Sequence, residues 1–170
     1  YLNVYRATHG LATTALRYAN VYGPRQYPHG EAGVVAIFTD RMLAGETPII
    51  NGDGTQTRDF VYVGDCARAN VLAVTAMADS ASAEVALDKS HINVYNIGTG
   101  EETSVNELAA QLQAATGYQG EIPHGPEKAG EIQRNVSDCT RAREALGFEA
   151  GVSLADGLAA TVAHFRSAAS

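Results

Sequence analysis

The chain has 170 residues, of which 45% are apolar and 18% charged, enough to bury a core and far from the composition of a disordered chain. Its net charge of −7 excludes a global field that would draw it to nucleic acid or an anionic membrane. An anionic ligand must therefore be met by a few placed cations, drawn from Lys89, Lys128 and ten arginines spread along the chain.

YLNVYRATHG reads as the last turns of a helix closing at Gly10, as if the chain began inside something longer. A strand is expected from about Ala12 to Tyr18, emptying into a Tyr-Gly-Pro corner. Val34, Phe38 and Met42 then recur four apart on one face of a short helix stopped by Gly45. A short strand at Pro48–Ile50 runs into the turn-forming NGDG, and another lies near Phe60–Val63. Asp65 reads as the N-cap of an Ala-rich, deeply packed helix, and residues 79–90 as a small polar surface connection.

His91 opens a buried-type strand with a Gly-rich exit, Gly98 to Gly100. Ser104 and Glu107 spell a capping box for a helix with Val105, Leu108, Ala109 and Leu112 on one stripe, ending at Gly117. GEIPHG is a short extended piece, and DCTRAREALG a short helix closed by Gly147. The last helix is capped by Ser153 and Asp156, with a stripe of Leu154, Leu158, Val162 and Phe165. Strands alternating with helices predict an α/β fold.

Cys66 and Cys139 stand far apart, with no CxxC pair, which predicts reduced structural thiols of a cytoplasmic protein. No apolar run is long enough to span a bilayer. His9 and His29 in turns, His91 at a strand start, His124 in a loop and His164 on the exposed side of the last helix show no metal-ligand spacing. Tyr22 and Tyr27 at the Gly-Pro corner read chiefly as packing. Neither G-x-G-x-x-G nor Tyr-x-x-x-Lys occurs, and the lone GTG of Gly98–Gly100 is a weak signal.

Five segments together carry a resemblance: LRYANVYGPRQ (16–26), GEAGVVAIF (30–38), INGDGTQTRDFVYVGDCARA (50–69), YNIGTGEETSVNELA (95–109) and KAGEIQRNVSDCTRAREALGF (128–148). In this order they resemble the C-terminal half of an extended short-chain dehydrogenase, closest to NAD-dependent nucleotide-sugar epimerases of the UDP-glucose 4-epimerase type. The resemblance implies a partial Rossmann-like parallel sheet, residues 1–22 and 57–100, joined to a small α/β nucleotide-sugar-binding domain, residues 23–56 and 101–170. By the same resemblance, the nucleotide-binding glycines and the catalytic Tyr and Lys lie upstream of Tyr1. This chain alone is then expected to be inactive, and the full-length protein to be a homodimer using NAD. A partial sheet would also leave an edge and a face open, so the isolated chain is expected to self-associate.

For Arg58 the resemblance implies contact with the substrate diphosphate, and the chemistry agrees, because a planar guanidinium holds two phosphate oxygens at once. It further implies contacts to the diphosphate and sugar from Asn20, to the base from Ile49 and Asn51, and to the substrate from Val34. Lys128 and Glu131 stand where many relatives have Arg-Pro-Gly-Glu/Asp, Arg on the diphosphate and the acid on the ribose. A lysine neutralises phosphate without bidentate grip, so Arg134 is an alternative to Lys128. Tyr18 resembles the position whose backbone meets the nicotinamide amide. The implied substrate is a nucleotide-diphosphate sugar, most readily a UDP-sugar, and the implied reaction epimerisation at C4 through a keto-sugar. A 4,6-dehydratase, a UDP-glucuronate decarboxylase, and a non-catalytic nucleotide-sugar or NAD-binding regulatory module are the alternatives.

Overall fold

The structure, a computed structural model, describes residues 1–29, 33–82 and 93–168. The expected opening helix is present as α1, Leu2–His9, closed by Gly10 at φ 65° with its N–H on Arg6 O. It buries none of its residues. Next come β1 (Thr14–Tyr18) and β2 (Asn20–Tyr22), separated only by Ala19. Helix α2 (Val34–Leu43) leads to β3 (Ile50–Asn51), β4 (Thr57–Arg58) and β5 (Phe60–Tyr62), and helix α3 spans Val63–Ser82. The second half holds β6 (Asn93–Ile97), β7 (Thr103–Ser104), α4 (Val105–Thr116), β8 (His124–Gly125), β9 (Arg134–Asn135), α5 (Thr140–Leu146) and α6 (Leu154–Ala168).

The longest ladder is parallel: β1 lies on β6 with Thr14 opposite Asn93 and Tyr18 opposite Ile97. Parallel strands need a long crossover, and α3 supplies one between β5 and β6. At Ala19 the strand changes partner. Ala19 N–H donates to Ile97 O at 2.8 Å, and the next amide, Asn20 N–H, donates to Asp59 O at 2.9 Å, after which β2 runs parallel to β5. Further along, β3 pairs with β8, and β4 sits between antiparallel β7 and parallel β9.

Apolar periodicity translates into two packed cores. One face of α3 brings Cys66, Ala69 and Ala73 against Val61, Tyr95 and Ile97 of the parallel strands, closed by Ala142 and Phe148 around α5. The other core gathers the stripes of α2, α4 and α6. Phe38, Met42, Leu108, Leu112, Leu158 and Val162 meet there, with Tyr22 and Phe60 reaching in from β2 and β5. Leu108 and Leu112 are fully buried, so truncating either to alanine would cost about 2–5 kcal/mol. The capping box of α4 forms as the sequence requires: Glu107 N–H donates to Ser104 Oγ, and Ser104 N–H donates to the Glu107 carboxylate. Ser153 caps α6 in the same way, accepting from Asp156 N–H at 3.2 Å.

Several expectations change, and His9, expected in a turn, is the last residue of α1. Helix α3 begins at Val63, so Asp65 lies in its first turn and is not its N-cap. The Asp65 carboxylate serves a distant segment instead, accepting from Gly151 N–H and Val152 N–H at 3.1 Å and from Arg68 at 2.8 Å. Helix α3 also runs on to Ser82, into the stretch expected as a connection; residues 83–90 and His91 lie outside the described residues. His124, expected in a loop, belongs to β8 and binds Gly52 O through Nδ1 at 2.8 Å, while His164 is half-buried against Phe165. Among the described residues no helix is long and apolar enough to cross a membrane.

Candidate functional site

The NGDG turn builds one wall of the site. Gly52 and Gly54 both have positive φ, 68° and 74°, and a Cβ on Gly54 would fall 2.0 Å from Asn106 Oδ1, so only glycine fits there. Asp53 closes the turn by accepting from Thr55 N–H and Oγ1–H at 2.9 and 2.7 Å, which hold its carboxyl below the ordinary range. Asn106, from the first turn of α4, donates to Asp53 O at 2.9 Å. Gln56, buried beneath, donates from Nε2 to Asn51 O at 2.8 Å and fixes the end of β3.

A cleft of about 270 Å³ opens beside this turn, lined by Asn51, Gly52, Gln56, Glu127, Glu131 and Gln133 among others. Arg58 borders it through Glu131. Its guanidinium donates from Nη1 to Ile132 O at 2.6 Å and Thr57 O at 2.8 Å, and from Nη2 to Glu131 Oε1 at 3.3 Å. Both side chains of the pair are sheltered, 17% and 19% exposed. A guanidinium carries five N–H donors, so Nε–H and part of Nη2 keep donors with no partner among the described residues. The arrangement offers an oriented, partly desolvated cation, with a carboxylate beside it able to accept from hydroxyls.

The other expected residues take distinct places. Asn51 and Glu131 share the cleft wall. Lys128 is exposed and starts a turn in which Glu131 N–H donates to Lys128 O at 3.2 Å. Ile49 is half-exposed just before β3, its Cγ2 packed near Gly125. Asn20 is exposed at the start of β2, in register with Phe60. Val34 opens α2 and packs its side chain against the core of α2, α4 and α6, so any ligand contact from it falls to its backbone and its outer edge. Tyr18 ends β1 and bonds through its hydroxyl to Asn70.

Arg134 is committed elsewhere. Successive strand residues face opposite ways, and Arg134 joins the cluster of Thr57, not that of Arg58. Glu102 accepts from Arg134 Nε at 3.1 Å, from Arg134 Nη2 at 2.6 Å and from Thr57 Oγ1 at 2.8 Å. Arg134 first, and Thr57 with it, hold the Glu102 carboxyl below its ordinary range.

Sequence reasoning missed Asp59, Gln56 and Glu102. Asp59 is adjacent to Arg58, but its partners, Thr99, Gly100 and Ser137, lie far along the chain, and no local pattern announces them. The signal available was position: an acid directly before the apolar strand Phe60–Tyr62 requires donors once it is buried.

Comparison with known proteins places the chain in a family. The chain is 45% identical over 166 residues to the UDP-glucose 4-epimerase of Mycolicibacterium smegmatis, covering 98% of this chain and 49% of that protein. It is 43% identical over 158 residues to a putative UDP-glucose 4-epimerase of Methanocaldococcus jannaschii, covering 93% of this chain and 47% of that one. A crystal structure of the UDP-glucose 4-epimerase of Thermotoga maritima with UDP-glucose superposes with a TM-score of 0.86 at 48% identity, over 100% of this chain and 51% of that one. The chain thus spans about half the length of the relatives it matches. Residues 1–98 match the NAD dependent epimerase/dehydratase family, and to that family, on sequence and on fold, the chain belongs.

Proposed function

We propose that this chain is the substrate-binding half of an NAD-dependent nucleotide-sugar 4-epimerase acting on a UDP-sugar. One observation carries the reading: a sheltered, oriented Arg58 stands beside a cleft walled by Asn51 and Glu131. In this reading Arg58 binds the diphosphate, Asn20 and Val34 lie along the diphosphate and sugar, Ile49 and Asn51 meet the base, and Glu131 accepts from the ribose hydroxyls. Lys128, on the exposed turn, adds charge at the entrance. The names of the relatives support UDP as the nucleotide.

The division into residues 1–22 with 57–100, and 23–56 with 101–170, belongs to the same proposal. The two cores support it, except that α5 packs with the first unit and that Tyr22, Phe60 and Tyr62 of the first unit pack in the core of the second. NAD fits only in part. Tyr18 ends a parallel strand on the side where open α/β sheets receive ligands, but the sequence has no G-x-G-x-x-G turn to cradle a pyrophosphate. When bound, NAD supplies the hydride acceptor for sugar C4. The sequence carries no Tyr-x-x-x-Lys, so in this reading turnover belongs to a longer protein, which we take to be a homodimer in the cytoplasm.

Calorimetric titration with UDP, dTDP and GDP tests the reading. Saturable binding of UDP, lost in Arg58→Ala, supports it; equal affinity for all three nucleotides in wild type and variant overturns it.

A further inference from the structure

Asp59 is 1% exposed and lies between β4 and β5, directly after Arg58. Its carboxylate accepts four hydrogen bonds. Oδ1 takes Thr99 N–H at 2.9 Å and Thr99 Oγ1–H at 2.7 Å; Oδ2 takes Gly100 N–H at 3.2 Å and Ser137 N–H at 3.3 Å. Its own carbonyl receives Asn20 N–H at 2.9 Å. The fit is close on every side: a Cβ on Gly98 would fall 2.3 Å from Oδ2, so the turn after β6 can approach this carboxylate only because residue 98 is glycine.

The partners of Asp59 are the segments that shape the candidate site. Asn20 is itself a site residue. Ser137 follows β9, whose preceding loop carries Glu131 and the Ile132 carbonyl that hold the Arg58 guanidinium. Thr99 and Gly100 belong to the turn between β6 and β7, and β7 is the antiparallel neighbour of β4. A short two-residue strand such as β4 has little ladder of its own to fix it. Asp59 fixes it from behind.

We propose that Asp59 is a positioning residue of the substrate site: by binding the turn after β6 and the segment after β9 together, it sets the backbone from which Arg58 reaches the diphosphate. The inference rests on the reading of Arg58 as the diphosphate ligand. The carboxylate is required because all four donors point at its two oxygens. An asparagine of equal size turns an NH₂ group onto one donor pair, whichever way the amide lies.

The test is a double-mutant cycle in the full-length protein, read by calorimetric titration with UDP and by urea melting of each variant. Asp59→Asn is expected to weaken UDP binding about tenfold, since it turns hydrogen bonds to a charged group into donor–donor contacts. Combined with Arg58→Ala it should bind no more weakly than Arg58→Ala alone, because both changes remove the same contact. Losses that simply add, or wild-type affinity in a folded Asp59→Asn while Arg58→Ala is weakened, overturn the inference and leave the diphosphate reading standing. Wild-type affinity in Arg58→Ala overturns both. Should Asp59→Asn fail to fold, Thr99→Val removes one donor and keeps the backbone; about a threefold loss of UDP affinity is expected, and none would overturn the proposal.

Discussion

Arg134 and Glu102 form a two-bonded pair, Nε to Oε2 at 3.1 Å and Nη2 to Oε1 at 2.6 Å, on the side of β4 turned away from Arg58. An arginine so neutralised is a poor second ligand for phosphate, and in the proposed reading the diphosphate falls to Arg58. Replacing Arg58 with alanine should cost about 2–5 kcal/mol of UDP-sugar binding, the range for losing one partner of a sheltered charge contact. Arg58→Lys should recover only part, because an ammonium lacks the planar fork. Arg134→Ala, by contrast, should leave UDP affinity within about twofold, as an exposed ion pair contributes little. Titration of the three variants decides.

Acid should destabilise the protein partly through Asp65. Burial disfavours its charged form, yet Arg68 and the N–H groups of Gly151 and Val152 outweigh that and hold the carboxyl below its ordinary value. A depressed folded pKa means stability that is fully present above the unfolded value, about 3.9, and is lost as pH falls through the folded one. Asp53, Glu102, Glu107 and Asp138 are lowered in the same direction. The melting temperature is expected to fall below about pH 4, and Asp65→Asn should start lower at pH 7 and fall less steeply. Parallel slopes for variant and wild type would count against this role.

Gly157 in α6 reverses the usual helix rule. Alanine there should gain about 1 kcal/mol of helix propensity. Its Cβ, however, would sit 2.1 Å from the hydroxyl oxygen of Tyr22, a buried ring held edge-on by Phe60 and Tyr62. Overpacking of this kind costs about 1–3 kcal/mol, so Gly157→Ala should lower the melting temperature. Adding Tyr22→Phe, which removes the clashing oxygen at the cost of a 3.4 Å bond to Leu154 O, should restore part of the loss.

The two thiols should be inert while the protein is folded. Burial, with Asp65 adding to it, pushes Cys66 up to about 11, and burial likewise raises Cys139, next to Asp59. Thiolate is the reactive form. Maleimide labelling at pH 8 should therefore be slow for both and become complete in urea. Fast labelling of the native protein would contradict the buried placement.

The helices were legible because their signals are local. Ser104 with Glu107, the stripe Leu154–Leu158–Val162, and Gly117 and Gly147 in the left-handed region all stand where spacing placed them. Strands β4, β7 and β9 were not legible, since two residues cannot display a period of two, and β8 was legible only as part of the extended piece GEIPHG. Asp65 shows the same limit from another side. An acid two residues into a helix looks like a cap until a loop 86 residues away is seen to donate to it. Of the residues named from the family motifs, Asn51 and Glu131 line one cleft and Arg58 bonds to Glu131 at its edge. Gln56 holds the Asn51 carbonyl, while Asp59 binds Thr99, Gly100 and Ser137 and Glu102 binds Arg134 and Thr57; the last two sets join segments far apart in the chain, which no spacing encodes.

The change of partner at Ala19 has a kinetic consequence. Thr14 cannot pair until Asn93 exists, Asn20 waits for Phe60, Ile50 for His124 and Thr57 for Arg134. A ribosome delivers the chain N-terminus first, so every parallel ladder stands open while later chain is made, and contacts of such sequence separation form slowly. Helices α2 and α4, with their local signals, can form early. The strand bearing Asn20 can close first, as soon as Phe60 is made, whereas the strand bearing Arg58 waits for Arg134 and closes last, so the arginine of the candidate site is among the final parts of the molecule to be set.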